Sequence, residues 1–300
     1  MKTSSSISIF ARLVAVGVLC ACGGLLNAAS SNSSIVSGSR TRTFDVHLPA
    51  SYASATTAPL LLVFHGAGGS GRDAERATGL SALSDQYGFI VVYPDAAADS
   101  RGTWALGCNR CTWADAANID DYRFARDLVD SLAQRYRVDR ERVFATGVSL
   151  GGSFAYDLAC HEPSLLAGTA VVASLPSVEE LPLCRAPTRP LRFIAAIGDR
   201  DPNVPWDGGT GGSGATYRGA EATAADWASR NQCAAVPTRR ELADANGDGQ
   251  LVRVLEYNNC PAGGFVRFFK VGGVGHTWPR SQEFDTSAEL ARSFFGVLTS

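Results

Sequence analysis

The chain has 300 residues, of which 45% are hydrophobic and 19% charged. That balance excludes a disordered chain, and the length allows one large domain or two small ones. A formal charge of −2 excludes the basic field that grips nucleic acid.

Residues 1–28 read as an export signal. Lys2 and Arg12 are their charges, and the apolar run from Leu13 to Cys22, extending to Leu26, is shorter than a bilayer span of roughly 20 residues. Leu26-Asn27-Ala28 offers the small-residue pattern of ordinary cleavage. Leu19-Cys20-Ala21-Cys22 resembles a bacterial lipobox with Cys22 as the lipidated residue, and an uncleaved anchor is the third reading. The expected destination is secreted or periplasmic, or lipid-anchored at the outer membrane or cell surface, with membrane contact only if Cys22 is lipidated. Losing this segment moves the formal charge from −2 to −4. Residues 29–40, rich in serine, are expected to be a flexible tether, followed by a folded domain over 41–300.

Six cysteines remain: Cys108, Cys111, Cys160, Cys184, Cys233 and Cys260. An even count in an exported chain favours disulfides, and sequence neighbours suggest Cys108–Cys111, Cys160–Cys184 and Cys233–Cys260. Cys108 and Cys111 also form a C-x-x-C, so a redox pair or half a zinc site stands beside the structural bridge.

Along the folded part, strands and helices alternate. An opening strand covers Thr43–Leu48. Pro59–His65 is an unbroken apolar run of the kind buried on both faces. Gly66–Gly71 forms a loop, and Asp73–Tyr87 follows at helical spacing. Phe89–Tyr93 is a second buried strand. A long loop, Asp95–Ile119, carries Trp104, Trp113 and the C-x-x-C. Asp120 or Asp121 caps the next helix, whose stripe is Phe124, Leu128, Leu132 and Tyr136. Further strands are Arg142–Gly147, Ala170–Ala173, Arg192–Ile197 and Val266–Val271. Helices are expected at Gly152–Cys160, Glu221–Asn231 and Thr286–Val297. This alternation predicts βαβ units and a mostly parallel central sheet flanked by helices, in a single domain. Gly208–Gly214 reads as a mobile loop within it.

Chemistry concentrates at strand ends. Gly147-Val148-Ser149-Leu150-Gly151 is a G-x-S-x-G placed between a predicted strand and a predicted helix, the setting of a strained nucleophile turn. A serine needs a base and an anion to orient that base. His276, after the last strand, is the candidate base. Asp201 is the candidate acid, with Asp199 as the alternative. Oxyanion donors are expected from the backbone N–H of Leu150 and of Ala67, with Gly68 next. His65 shapes that loop and, with Trp206 and Trp278, is a candidate to line a substrate pocket, as are Trp104 and Trp113. No metal or cofactor is expected. Asp244-Ala-Asn-Gly-Asp248-Gly249 resembles the start of a calcium loop, but Leu255 stands where a glutamate is required, so a hairpin turn is the reading.

The strings LLVFHGAGGSG, YGFIVVYPDA, YRVDRERVFATGVSLGG, GDRDPNVPW and VGHTWP resemble the secreted polyhydroxybutyrate depolymerase-like esterases, a family that includes feruloyl and acetylxylan esterases. The matching pieces run from about Phe44 to Phe295. The resemblance implies an α/β-hydrolase fold over 41–300 and a serine carboxylesterase acting through an acyl-enzyme on hydroxyalkanoate oligomers or polyester. A feruloyl or acetylxylan esterase is the runner-up. It implies the roles of Ser149, Asp201 and His276 by position. The expected partner is a small or oligomeric ester, with no nucleic acid. A serine peptidase and a non-catalytic binding lipoprotein rank below both esterase readings.

Overall fold

The computed structural model describes residues 30–296, apart from 54–55, 109–110, 180, 182–183, 185–186 and 246. The export signal, with Cys22, lies outside the described residues. So does Val297 at the expected end of the last helix. No helix among the described residues is long and apolar enough to cross a membrane.

The strands in chain order are β1 (Ser31–Ser37), β2 (Arg40–His47), β3 (Ala58–Phe64), β4 (Ile90–Pro94), β5 (Val138–Val148), β6 (Gly168–Val172) and β7 (Arg192–Gly198). They continue with β8 (Gly209–Thr210), β9 (Thr216–Tyr217), β10 (Thr238–Glu241), β11 (Val252–Tyr257) and β12 (Phe265–Val271). Ten of them form one sheet, ordered β1-β2-β4-β3-β5-β6-β7-β12-β11-β10. The central strands from β4 to β12 pair in parallel, and an antiparallel pair extends the sheet at each end.

The helices are α1 (Gly71–Thr78), α2 (Leu80–Tyr87), α3 (Trp113–Ala116), α4 (Asp121–Arg135), α5 (Leu150–His161), α6 (Ala220–Arg230) and α7 (Thr286–Phe295). They cover both faces of the sheet. Alternate residues of one strand serve opposite cores. Leu60, Leu62 and Phe64 of β3 pack with Phe124 and Leu128 of α4, Phe154 of α5 and Trp227 of α6. Leu61 and Val63 pack with Leu80 of α2 and with Leu290 and Phe294 of α7. A continuous apolar run is what a strand needs when helices lie on both sides. This is the expected α/β-hydrolase architecture.

Four expectations change. Residues 31–37, expected within the tether, are edge strand β1, with Ile35 opposite Arg42 and Val36 opposite Thr41 of β2. Serine is compatible with an edge strand, whose outer side faces water. The single helix expected over Asp73–Tyr87 breaks into α1 and α2 at Gly79, which takes φ 61° and ends α1 through its N–H to Glu75. The loop at 208–214 is not loose. It leads through β8 into a ribbon with β9, and the Gly212 N–H reaches the Pro202 carbonyl at 2.9 Å. Strands β10 and β11 are additions to the expected set: β10 (TRRE) is exposed throughout and offers no apolar period. They flank the Asp244–Gly249 turn, where the Asp244 carboxylate accepts the N–H groups of Gly247 and Gly249 at 2.8 and 3.0 Å.

Asp120 is the cap of α4, accepting the Arg123 N–H at 2.8 Å. Asp121 does other work. It is fully buried and pairs with buried Arg42 at 2.7 Å, while its second oxygen accepts the Ala105 N–H at 2.8 Å. Burial pushes the Asp121 carboxyl up, and the Arg42 charge pulls against that shift. The pair ties β2 to α4 and to the long loop after β4.

Candidate active site

Every parallel strand delivers its C-terminal end to the same edge of the sheet. Strand order reverses between β3 and β5, because β3 leads outward to β4 and the chain then crosses back to β5. In open α/β sheets such a switch point leaves a crevice above the strand ends. Here it is a cleft of about 770 Å³, lined by Ala67 after β3, Ser149 and Leu150 after β5, and Ala173 and Ser174 after β6.

Ser149 sits between β5 and α5 with φ 54° and ψ −123°. That conformation is costly for a residue with a Cβ, so neighbours must enforce it. The flanking glycines make the turn possible. A Cβ on Gly147 would lie 2.3 Å from the Gly151 carbonyl carbon, and one on Gly151 would lie 2.2 Å from the Phe64 carbonyl oxygen. Only hydrogen fits at either position. The Ser149 N–H is held by the Val172 carbonyl at 2.9 Å, which leaves the hydroxyl projecting at the head of α5.

His276 lies beyond β12. Its Nε2 is 2.8 Å from Ser149 Oγ, and its Nδ1 is 2.8 Å from Asp201 Oδ2 and 3.0 Å from Oδ1. The Asp201 carboxylate has no solvent exposure, while the His276 side chain keeps 22%. Asp201 Oδ1 also accepts the N–H groups of Asn203 and Val204 at 2.8 and 3.0 Å. Those donors fix the carboxylate in place, so Nδ1 donates to it and Nε2 faces the hydroxyl as acceptor. Asp199 points elsewhere: its Oδ1 accepts the Gly273 N–H at 2.8 Å. That bond fastens the loop leading to His276.

Gly68 is excluded as an oxyanion donor, since its N–H is committed to the Gly102 carbonyl at 2.9 Å. The Ala67 N–H has no acceptor within hydrogen-bond distance among the described residues, and Ala67 faces the same cleft as Leu150 at the first turn of α5. Unpaired amides at a helix start are where negative charge is best received.

Three expected pocket residues stand away from the cleft. His65 is buried below it. Its Nδ1 is bonded to the Gly66 carbonyl at 2.7 Å and its Nε2 accepts the Ala96 N–H at 3.1 Å, so both ring nitrogens hold backbone. Burial pushes the His65 pKa down, and the Gly66 carbonyl only partly offsets it. Trp278 packs under α7, with its N–H on Ser287 Oγ at 2.9 Å. Trp206 leans on Phe268 and carries Lys270 over its ring, lining a separate groove at the β11–β12 end. Trp104 is core, its N–H on the His65 carbonyl at 2.9 Å. Of the tryptophans considered, Trp113 lines the cleft. A further wall is Ser177–Glu179 with Ser213–Tyr217, the turn and second strand of the β8–β9 ribbon. An isolated bridge between Ser177 and Tyr217 joins the two. No sequence motif marks this wall; the turn glycines before Thr216-Tyr217 are its only signal.

Residues 43–178 match the family model described as esterase PHB depolymerase. That match spans 136 of the 300 residues, somewhat under half of the chain. The chain is 36% identical over 184 residues to the putative esterase NocK of Nocardia uniformis subsp. tsuyamanensis, covering 61% of this chain and 52% of that one. It is 29% identical over 241 residues to feruloyl esterase B of Piromyces equi, covering 77% and 42%. The chain therefore spans about half, or less, of these curated relatives. Among solved structures, the acetyl xylan esterase from Aspergillus awamori superposes with a TM-score of 0.63 at 17% identity, over 89% of this chain and 99% of that one. At that identity the likeness concerns the fold, which is that of the α/β-hydrolase esterases.

The cysteines close as Cys108–Cys111, Cys160–Cys184 and Cys233–Cys260. Bonded to each other, Cys108 and Cys111 offer no thiolate to a zinc ion.

Proposed function

We propose that this chain is an exported serine carboxylesterase of the PHB depolymerase esterase family. One observation carries the reading: Ser149 Oγ, His276 and Asp201 form a continuous hydrogen-bonded chain, each contact 2.8 Å, at the mouth of the cleft. His276 Nε2 takes the proton as Ser149 Oγ attacks the ester carbonyl. The N–H groups of Leu150 and Ala67 receive the oxyanion. His276 then returns the proton to the departing alcohol as the carbon–oxygen bond breaks. Water, deprotonated by the same Nε2, attacks the acyl-enzyme and releases the acid.

The cleft lining supports a neutral ester. Among the described residues Glu179 is its one charged side chain, so a carboxylate-bearing substrate would meet repulsion there. The other polar groups include the hydroxyls of Ser153, Ser174 and Thr216. Hydroxyalkanoate oligomers suit that lining and the family's description; a feruloyl or acetylxylan ester is the alternative. The three disulfides support maturation in an oxidising compartment.

The test is covalent labelling by a fluorophosphonate, with rates on a hydroxybutyrate oligomer, a methyl hydroxycinnamate and a short-acyl nitrophenyl ester. The expected result is labelling and turnover that Ser149→Ala abolishes. Equal labelling of both proteins, or turnover surviving in the variant, overturns the reading. The preferred ester among the three selects the substrate class.

A further inference from the structure

The loop between β4 and α4 builds one wall of the cleft without supplying a group to the chemistry. Cys111, Thr112, Trp113 and Ala116 all line it. Trp113 is 53% exposed, a large apolar ring left open in the cleft that also holds Ser149. Its other neighbour is fixed: the Arg101 guanidinium lies 3.7 Å from the ring centroid. Arg101 takes a left-handed φ of 54° as the residue that ends the 3-10 turn at Ala98–Ser100.

The loop beneath the ring is tightly held. Thr112 and Asp115 form a reciprocal cap on α3. The Asp115 carboxylate also accepts the N–H groups of Leu106 and Gly107, both at 3.0 Å. The Ala114 N–H donates to Thr103 Oγ1 at 3.0 Å, and a disulfide joins Cys108 to Cys111. Redox chemistry is a poor use for this bridge. Asp115 Oδ2 lies 3.9 Å from Cys108 Sγ, and Glu179 Oε2 lies 3.7 Å from Cys111 Sγ. Reactive thiolates form in electropositive surroundings, and two carboxylates provide the opposite.

We propose that Trp113 is the specificity-determining residue of the cleft. Its open face packs the part of the ester remote from the scissile bond, and the Cys108–Cys111 bridge with Arg101 sets the position of the ring. A preorganised aromatic surface binds without first being ordered, so it separates large esters from small ones by affinity. This inference rests on the esterase reading of Ser149.

The experiment measures kcat and KM on a hydroxybutyrate trimer, a methyl hydroxycinnamate and ethyl acetate, the last too small to reach the ring. Trp113→Ala is expected to lower kcat/KM on at least one large ester by about tenfold or more, through KM, and to leave ethyl acetate within about twofold. Trp113→Phe should restore most of the loss. Cys108→Ser/Cys111→Ser should shift the large ester in the same direction by less. Because the ring is exposed, the variants fold, and equal thermal melts check this. An equal loss on all three esters, or none on either large one, overturns the inference while leaving the esterase reading intact. A wild-type protein silent on all three overturns both.

Discussion

Two histidines end up at the sheet edge that holds the cleft, His65 after β3 and His276 after β12. Their surroundings assign them different work. His65 is 1% exposed and commits both ring nitrogens to backbone, one to the Gly66 carbonyl and one to the Ala96 N–H. Trp104 lies against its ring at 4.9 Å and donates to its carbonyl. His276 keeps partial exposure and bonds two side chains, a buried carboxylate and a hydroxyl. A histidine whose nitrogens are both satisfied by backbone cannot shuttle a proton without breaking the fold. One held at Nδ1 by a carboxylate and open at Nε2 is free to do so. Residue type and strand position do not separate the two; their partners do.

The sharpest way to break that comparison is to remove each ring. His276→Ala is expected to lower kcat by on the order of 10⁴ or more while leaving the melting temperature near wild type. His65→Ala should do the reverse. It strands the Ala96 N–H and the Gly66 carbonyl, at a cost of about 1–3 kcal/mol for each buried group left unpaired, with little change in kcat per folded molecule. Comparable stability losses in both variants would erase the distinction. Next in size is Gly151→Ala. Its Cβ would press on the Phe64 carbonyl oxygen, so the turn must open. Destabilisation of about 1–3 kcal/mol is expected, together with loss of fluorophosphonate labelling at Ser149. Normal labelling would mean that the turn tolerates a side chain.

His65 also ties the fold to pH. Burial lowers the His65 pKa below its ordinary value near 6.5. Above that value both folded and unfolded chains are neutral here. As pH falls through it, the unfolded chain gains a proton that the folded chain resists, so stability drops with falling pH. The melting temperature should therefore decline below about pH 6.5, and His65→Gln, which cannot titrate, should flatten part of that decline. Parallel curves for the two proteins would remove His65 as a source of the acid sensitivity.

Much of the fold was legible because buried parallel strands leave unbroken apolar runs. The runs at 60–64, 90–93 and 193–197 mark β3, β4 and β7 within a residue or two. The edges were harder to read. Strands β1 and β10 are polar because one side faces water, so their composition resembles a loop. At the site, Ser149 announces itself through the glycines that its turn requires, and Asp201 and His276 through chain order. The walls carry no such sign. Four tryptophans were equivalent candidates by composition, and which of them faces the cleft depends on loop paths set by long-range bonds. Asp115 bonding back to Leu106 and Gly107 is one such tie, and Trp104 bonding to His65 is another.

Asp199 gives the smallest and most discriminating test. It is exposed, two residues from Asp201, and its Oδ1 bonds the Gly273 N–H at 2.8 Å. Through that bond it steadies the loop carrying His276, although it touches neither His276 nor the hydroxyl. Removing one exposed hydrogen bond should cost about 1 kcal/mol or less in stability. Its effect on turnover comes from letting the His276 ring wander off the 2.8 Å contact with Ser149, and proton transfer is sensitive to such displacement. Asp199→Ala is therefore expected to lower kcat severalfold with KM unchanged. Asp199→Asn keeps an oxygen acceptor for the Gly273 N–H and should restore most of the rate. If Asn and Ala behave alike, the negative charge matters rather than the tie, and Asp199 acts on His276 through its field instead of through the loop.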